Sequence, residues 1–223
     1  MTYYPILILL TLAALNWTAV EKKWKTLEYV TKPATMLALI WWMWLNVGLG
    51  GSILWFTLGA VFCLAGDVFL MITRDMFIFG LLAFLIGHVC YVVGFNNLAP
   101  YINLWGVILI ILFGIYIGWL LPKLVGGLKV KGKAGLKIPV LIYSLVISVM
   151  VYSAWMTWTR PGWLPLAALS ASVGALLFYV SDSILAWDRF VNPLKHGRLK
   201  VMVTYHLGQF GIILGVILHT VLK

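Results

Sequence analysis

Acid is scarce in this chain: six Asp and Glu stand among 223 residues, against sixteen Lys and Arg. Charge of either sign is thin, with charged residues at 10% and hydrophobic ones at 63%, and the twelve Trp exceed what a soluble domain of this size can hide. Cysteine is nearly missing as well. The two present, Cys63 and Cys90, fall inside apolar segments and read as packing residues rather than as a disulfide or a metal site. The opening Met1-Thr2-Tyr3-Tyr4-Pro5 lacks the basic stretch of a secretory signal, so the first apolar segment is expected to be a retained helix. No polar stretch is long enough for a separate soluble domain. What is left is a multi-pass integral membrane protein, an all-α polytopic helix bundle expected to form one domain over residues 1–223.

A spanning helix uses about 20 apolar residues, which leaves room for about eight of them. The apolar runs predict helices at 4–20, 30–47, 52–71, 76–95, 104–121, 138–157, 164–186 and 200–222. Basic residues fall in alternate connections. Lys22, Lys23 and Lys25 follow the first helix, Arg74 the third, Lys123, Lys129, Lys131, Lys133 and Lys137 the fifth, and Arg189, Lys195, Arg198 and Lys200 the seventh. By the positive-inside rule these connections are cytoplasmic and both termini are extracytoplasmic, in the cytoplasmic membrane if the host is bacterial. The net charge of +10 is thereby assigned to anionic lipid at the membrane surface, and nucleic acid is excluded as a partner. The Gly- and Lys-rich stretch 125–135 is expected to be a flexible basic loop.

Two aspartates interrupt the apolar runs: Asp67 in Gly66-Asp67-Val68-Phe69 and Asp182 in Ser181-Asp182-Ser183-Ile184. A carboxylate in hydrocarbon costs at least about 2.5 kcal/mol, so each marks a functional site. The topology places each about one turn from the cytoplasmic end of its helix. Helices two, six and eight enter from that same side and carry Lys32, Tyr143, Tyr205, His206 and Gln209 in their first turns. His88 lies deeper, about 18 Å along the fourth helix, with Tyr91 on its face. Polar side chains from several helices thus converge on one half of the bundle, which is the signature of a pocket. His88 and His206 have donor chemistry suited to zinc, but no compact ligand spacing joins them to the aspartates, and neither a metal nor a cofactor is expected. Arg74-Asp75 and Asp188-Arg189 read as loop ion pairs.

In their order along the chain these residues resemble the YhhN-type lysoplasmalogenase family of polytopic membrane proteins. The resembling pieces are Thr31-Lys32-Pro33, Gly66-Asp67 with Leu70-Met71, Phe79-Gly80-Leu81 with Phe84 and His88 through Tyr91, Tyr143, Ser181-Asp182-Ser183 with Leu185-Ala186, and Tyr205-His206-Leu207-Gly208-Gln209. The resemblance implies hydrolysis of the vinyl ether bond of a lysophospholipid substrate, a lysoplasmalogen, to a fatty aldehyde and a glycerophospho head group. Such a bond is cleaved by protonation at carbon, which yields an oxocarbenium ion that water captures. On this reading Asp67 and Asp182 are the catalytic acid/base pair, one protonated and its partner ionised. Lys32, His88, Tyr91, Tyr143, Ser181, Tyr205, His206 and Gln209 then contact the substrate, with Lys32 toward its phosphate. A proton-coupled transporter is the alternative class, since buried carboxylates also relay protons.

Overall fold

The computed structural model describes residues 2, 4–72, 76–96 and 103–222, and among them every regular element is helical. Eight α-helices follow in order: α1 (Tyr4–Lys22), α2 (Lys25–Val47), α3 (Leu54–Ile72), α4 (Phe77–Phe95), α5 (Leu104–Val130), α6 (Lys137–Trp155), α7 (Pro165–Ala186) and α8 (Gly197–Val221). Short 3-10 turns precede α3 and α6 and follow α6, and a π turn, Trp187–Val191, prolongs α7. Seven of the eight are long and apolar enough to cross a membrane. The exception, α2, carries Lys25, Glu28 and Lys32 in its first half, yet Glu28 and Lys32 are buried against partners. Arg198 Nη2 donates to Glu28 Oε1 at 2.5 Å, and Lys32 Nζ stands 3.0 Å from Asp67 Oδ1.

Three helix ends depart from the expected boundaries. First, α2 starts at Lys25 and runs through Pro33, losing one backbone hydrogen bond, so Lys32 lies two turns inside the helix instead of opening it. Second, α5 does not stop at Leu121 but continues through Pro122 to Val130, and most of the expected flexible loop is therefore helix. The reason is a stripe at spacing four: Leu120, Leu124 and Leu128 are buried against Phe77, Val140 and Phe190 while Lys129 faces out. Gly127 completes the fit, since a Cβ there would strike the Phe190 carbonyl oxygen. Third, the π turn carries the helical path of α7 to Val191, so Asp182 is nine residues from its end rather than four. The basic connection at Arg74 and the Arg74-Asp75 pair lie outside the described residues.

Small residues set which helices touch most closely. Between α7 and α8, Gly174, Gly208, Gly211 and Gly215 bring backbone against backbone, and a Cβ on Gly215 would lie 2.7 Å from the Ala171 nitrogen. Between α3 and α4 the glycines receive rings instead: Gly59 faces the Tyr91 ring, Gly66 faces Phe84 and Gly94 faces Phe56. Both pairs are built on small-residue stripes at helical spacing, Gly59, Cys63 and Gly66 in α3 and Ala171, Gly174 and Ala175 in α7. Trp42 of α2, fully buried, stacks on Phe210 of α8 at 5.4 Å and ties the first helices to the last.

Candidate active site

The polar residues of the bundle gather into separate contact sets. The first joins three helices. Tyr143 of α6 donates its hydroxyl hydrogen to Asp182 Oδ2 of α7, and His88 Nε2 of α4 lies 2.9 Å from the Tyr143 oxygen and 3.4 Å from the same Asp182 Oδ2. Tyrosine has one hydroxyl hydrogen and here it serves Asp182, so His88 Nε2 must be the donor toward the tyrosine oxygen. His88 is then the Nε2–H tautomer. Its Nδ1, buried and without a hydrogen-bond partner among the described residues, carries a bare lone pair rather than a stranded N–H.

His88 reaches Asp182 because both lie well inside the bundle. Eleven residues into α4 is about 16 Å, and nine residues from the end of the α7 path is about 13 Å at 1.5 Å per residue. The expected gap in depth between them came from ending the seventh helix at Ala186. Asp182 keeps 15% of its side chain accessible, and that surface faces a cleft between α4, α5, α6 and α7. The cleft, its mouth included, encloses about 770 Å³ and is walled mainly by apolar side chains such as Leu81, Phe84, Ile117, Leu124 and Ile147.

The second set centres on Asp67, which is 1% accessible and does not line the cleft. Lys32 of α2 pairs with its Oδ1 at 3.0 Å and Tyr205 of α8 donates to its Oδ2 at 2.7 Å. The Phe178 ring touches both sets, 4.7 Å from His88 and 5.2 Å from Tyr205 by ring centroids, and Phe84 packs edge-on against Phe178. Two aromatic rings thus stand between the groups around the two aspartates.

The other expected contacts are placed as follows. Tyr91 donates to Gln209 Oε1 at 2.7 Å, an α4 to α8 tie in the core. Ser181 donates to the Val201 carbonyl at 2.9 Å, fastening α7 to α8 rather than facing the cleft. His206 Nδ1 accepts from Trp17 Nε1 at 3.0 Å, on the α1 side of α8 and apart from Asp182. Phe178 and Arg189 were not among the expected site residues. Phe178 ends the small-residue stripe of α7 one turn before Asp182, and Arg189, seven residues after Asp182 in the π turn, lines the same cleft, a signal hidden by reading 187–191 as loop.

The sequence model of the YhhN family matches residues 27–216, which holds every residue of both sets. The chain belongs to the YhhN family. This YhhN chain is similar to mouse "Lysoplasmalogenase TMEM86B", 30% identical over 222 residues that cover 98% of this chain and 88% of the mouse protein. It is 32% identical over 160 residues to human "Lysoplasmalogenase TMEM86B", covering 70% and 61% of the two chains. Bovine "Lysoplasmalogenase TMEM86A" is 32% identical over 162 residues, covering 71% and 63%. No solved structure matches this YhhN protein.

Proposed function

We propose that this protein is an intramembrane hydrolase that cleaves the vinyl ether bond of lysoplasmalogens, with Asp182 as the group that transfers the proton. One observation carries the reading: a carboxyl group held by Tyr143 and His88 opens on an apolar cleft within the bundle. The names of its mammalian relatives support the same substrate class.

The chemistry needs an acid beside a carbon, a place for a cation and a water. With Tyr143 occupying Oδ2, the protonated Asp182 carboxyl offers its other oxygen to the alkenyl carbon distal to the ether oxygen. The π pair takes the proton as a new C–H bond, and the ether oxygen shares the positive charge of the resulting oxocarbenium ion. Asp182, now a carboxylate, faces that cation and then removes a proton from the water that adds to it. The hemiacetal collapses as its glyceryl C–O bond breaks, the glyceryl oxygen takes up the proton and the aldehyde departs. Tyr143 and His88 hold the carboxyl in position throughout. Asp67 does other work on this reading: its ion pair with Lys32 fixes α2, α3 and α8 behind the Phe84 and Phe178 rings.

The test is aldehyde release from lysoplasmenylethanolamine by the purified protein in detergent. Asp182→Asn should lower kcat by roughly 10²- to 10⁴-fold, the usual worth of a general acid, with the folded protein retained. Undiminished turnover by Asp182→Asn would sink the mechanism, and proton-driven transport in liposomes without any hydrolysis would replace the enzyme reading with the transporter one.

A further inference from the structure

The last two helices of each half of the chain are built alike. Gly59 and Asp67 of α3 recur at the same spacing in α7 as Gly174 and Asp182, and Gly87 and Gly94 of α4 recur in α8 as Gly208 and Gly215. The packing registers match too. A Cβ on Gly87 would lie 3.1 Å from the Gly59 oxygen, and one on Gly208 would lie 3.0 Å from the Gly174 oxygen. Such agreement is the mark of an internal parallel repeat, and it extends to the carboxyl groups. Each aspartate is held by the second helix of its own half and the fourth helix of the other: Asp67 by Lys32 of α2 and Tyr205 of α8, Asp182 by Tyr143 of α6 and His88 of α4.

The two sites differ in the use of one oxygen. At Asp67, Tyr205 takes Oδ2 and Lys32 Nζ stands 3.0 Å from Oδ1, an amine carried there on an aliphatic stem. At Asp182, Tyr143 and His88 share Oδ2, and none of the described residues bonds Oδ1. The Asp182 side chain opens instead on the apolar cleft. One half of the molecule thus brings its own alkylamine to the carboxyl group, and the other presents a carboxyl oxygen beside room for an aliphatic chain.

We propose that the cleft is a binding site for single-chain primary amines, with the nitrogen on Asp182 Oδ1, as Lys32 stands on Asp67, and the chain along Leu81, Phe84 and Ile147. A neutral amine takes the carboxyl proton, and an ammonium binds as that proton leaves to water. Either way the bound pair is ammonium and carboxylate, and the carboxyl no longer has a proton to give to carbon. Binding stands on the geometry alone, whereas its effect on aldehyde release rests on the hydrolase reading above.

The test compares dodecylamine with dodecan-1-ol, which keeps the chain and lacks the charge. Each is titrated at known mole fraction in detergent against the thermal unfolding midpoint of the purified protein. The amine should raise the midpoint saturably, with an apparent Kd at least about tenfold below that of the alcohol, the worth of a hydrogen bond between charged groups. Asp182→Asn should abolish the difference, and the double variant Lys32→Met with Asp67→Leu should keep it. An amine no better than the alcohol would overturn the proposal. So would an undiminished preference in Asp182→Asn, or one lost only in the double variant, which would put the amine at Asp67. If Asp182→Asn does not fold, Ile117→Trp narrows the cleft and leaves the carboxyl group in place; it should weaken the amine at least tenfold, and an unchanged amine response would overturn the site. In the aldehyde assay the amine should raise KM and leave kcat unchanged. If no aldehyde is released at all, a response that depends on Asp182 still upholds the amine site and removes only the hydrolase reading; aldehyde release that needs Asp182 in a protein without the amine response does the reverse.

Discussion

Lys32 has a side chain only 6% accessible, and its Nζ stands 3.0 Å from Asp67 Oδ1. Removing one member of a buried pair strands the other, at a cost of about 3–5 kcal/mol, whereas replacing both by apolar residues is close to neutral. Lys32→Met should therefore destabilise the protein by that amount in an unfolding titration in detergent, and the double variant Lys32→Met with Asp67→Leu should recover most of it. A single variant as stable as the parent would show that Asp67 does not depend on Lys32. At this scale the sequence marked the costly residues and offered Lys32 as an ion partner for either aspartate, but did not decide between the two. A charge inside an apolar run is visible locally, so Asp67 and Asp182 stood out at once. Which neighbour each one meets depends on how α2, α3 and α8 are rotated about their axes, and helices apolar on nearly every side, such as α3 and α4, carry little record of that rotation.

The far end of α5 shows two local signals in competition. Adjacent glycines and four lysines argue for a loop, while Leu120, Leu124 and Leu128 argue for a helix with one buried face, and the burial prevails. Both signals were legible, but the deciding one needed the surface made by Phe77 and Phe190, which comes from other elements. The two glycines also differ in kind. A Cβ on Gly126 meets nothing, whereas one on Gly127 meets the π turn that holds Arg189. Gly126→Ala should stabilise by roughly 0.4 to 1 kcal/mol through the unfolded chain. Gly127→Leu should destabilise by about 1–3 kcal/mol and raise KM for the lysolipid as α5 is pushed away from the mouth. Thermal unfolding and initial-rate kinetics on the pair check both, and equal behaviour of the two variants would refute the close approach.

Across the whole molecule, the number and order of the helices were legible because apolar length is a property of composition, and the alternation of basic connections gave an expected orientation. That orientation is open to a direct check, since the two native cysteines, Cys63 and Cys90, are buried and should stay silent toward a water-soluble thiol reagent. Thr2→Cys should be labelled on intact cells, and Lys133→Cys only after permeabilisation. The reverse pattern would invert the protein.

One wall of the cleft, formed by Ile117, Leu120, Leu121 and Leu124, belongs to α5, whose other faces expose Ile110, Ile111, Leu112 and Ile115 to the surroundings. In a bilayer those surroundings are acyl chains, so a lysolipid approaching past α5 is counted per lipid molecule rather than per litre. Diluting a fixed amount of substrate with inert phospholipid should slow turnover in proportion below saturation, although the bulk concentration never changes. For such a protein the composition of the membrane sets the rate, much as a crowd's density rather than its size sets how often two people meet.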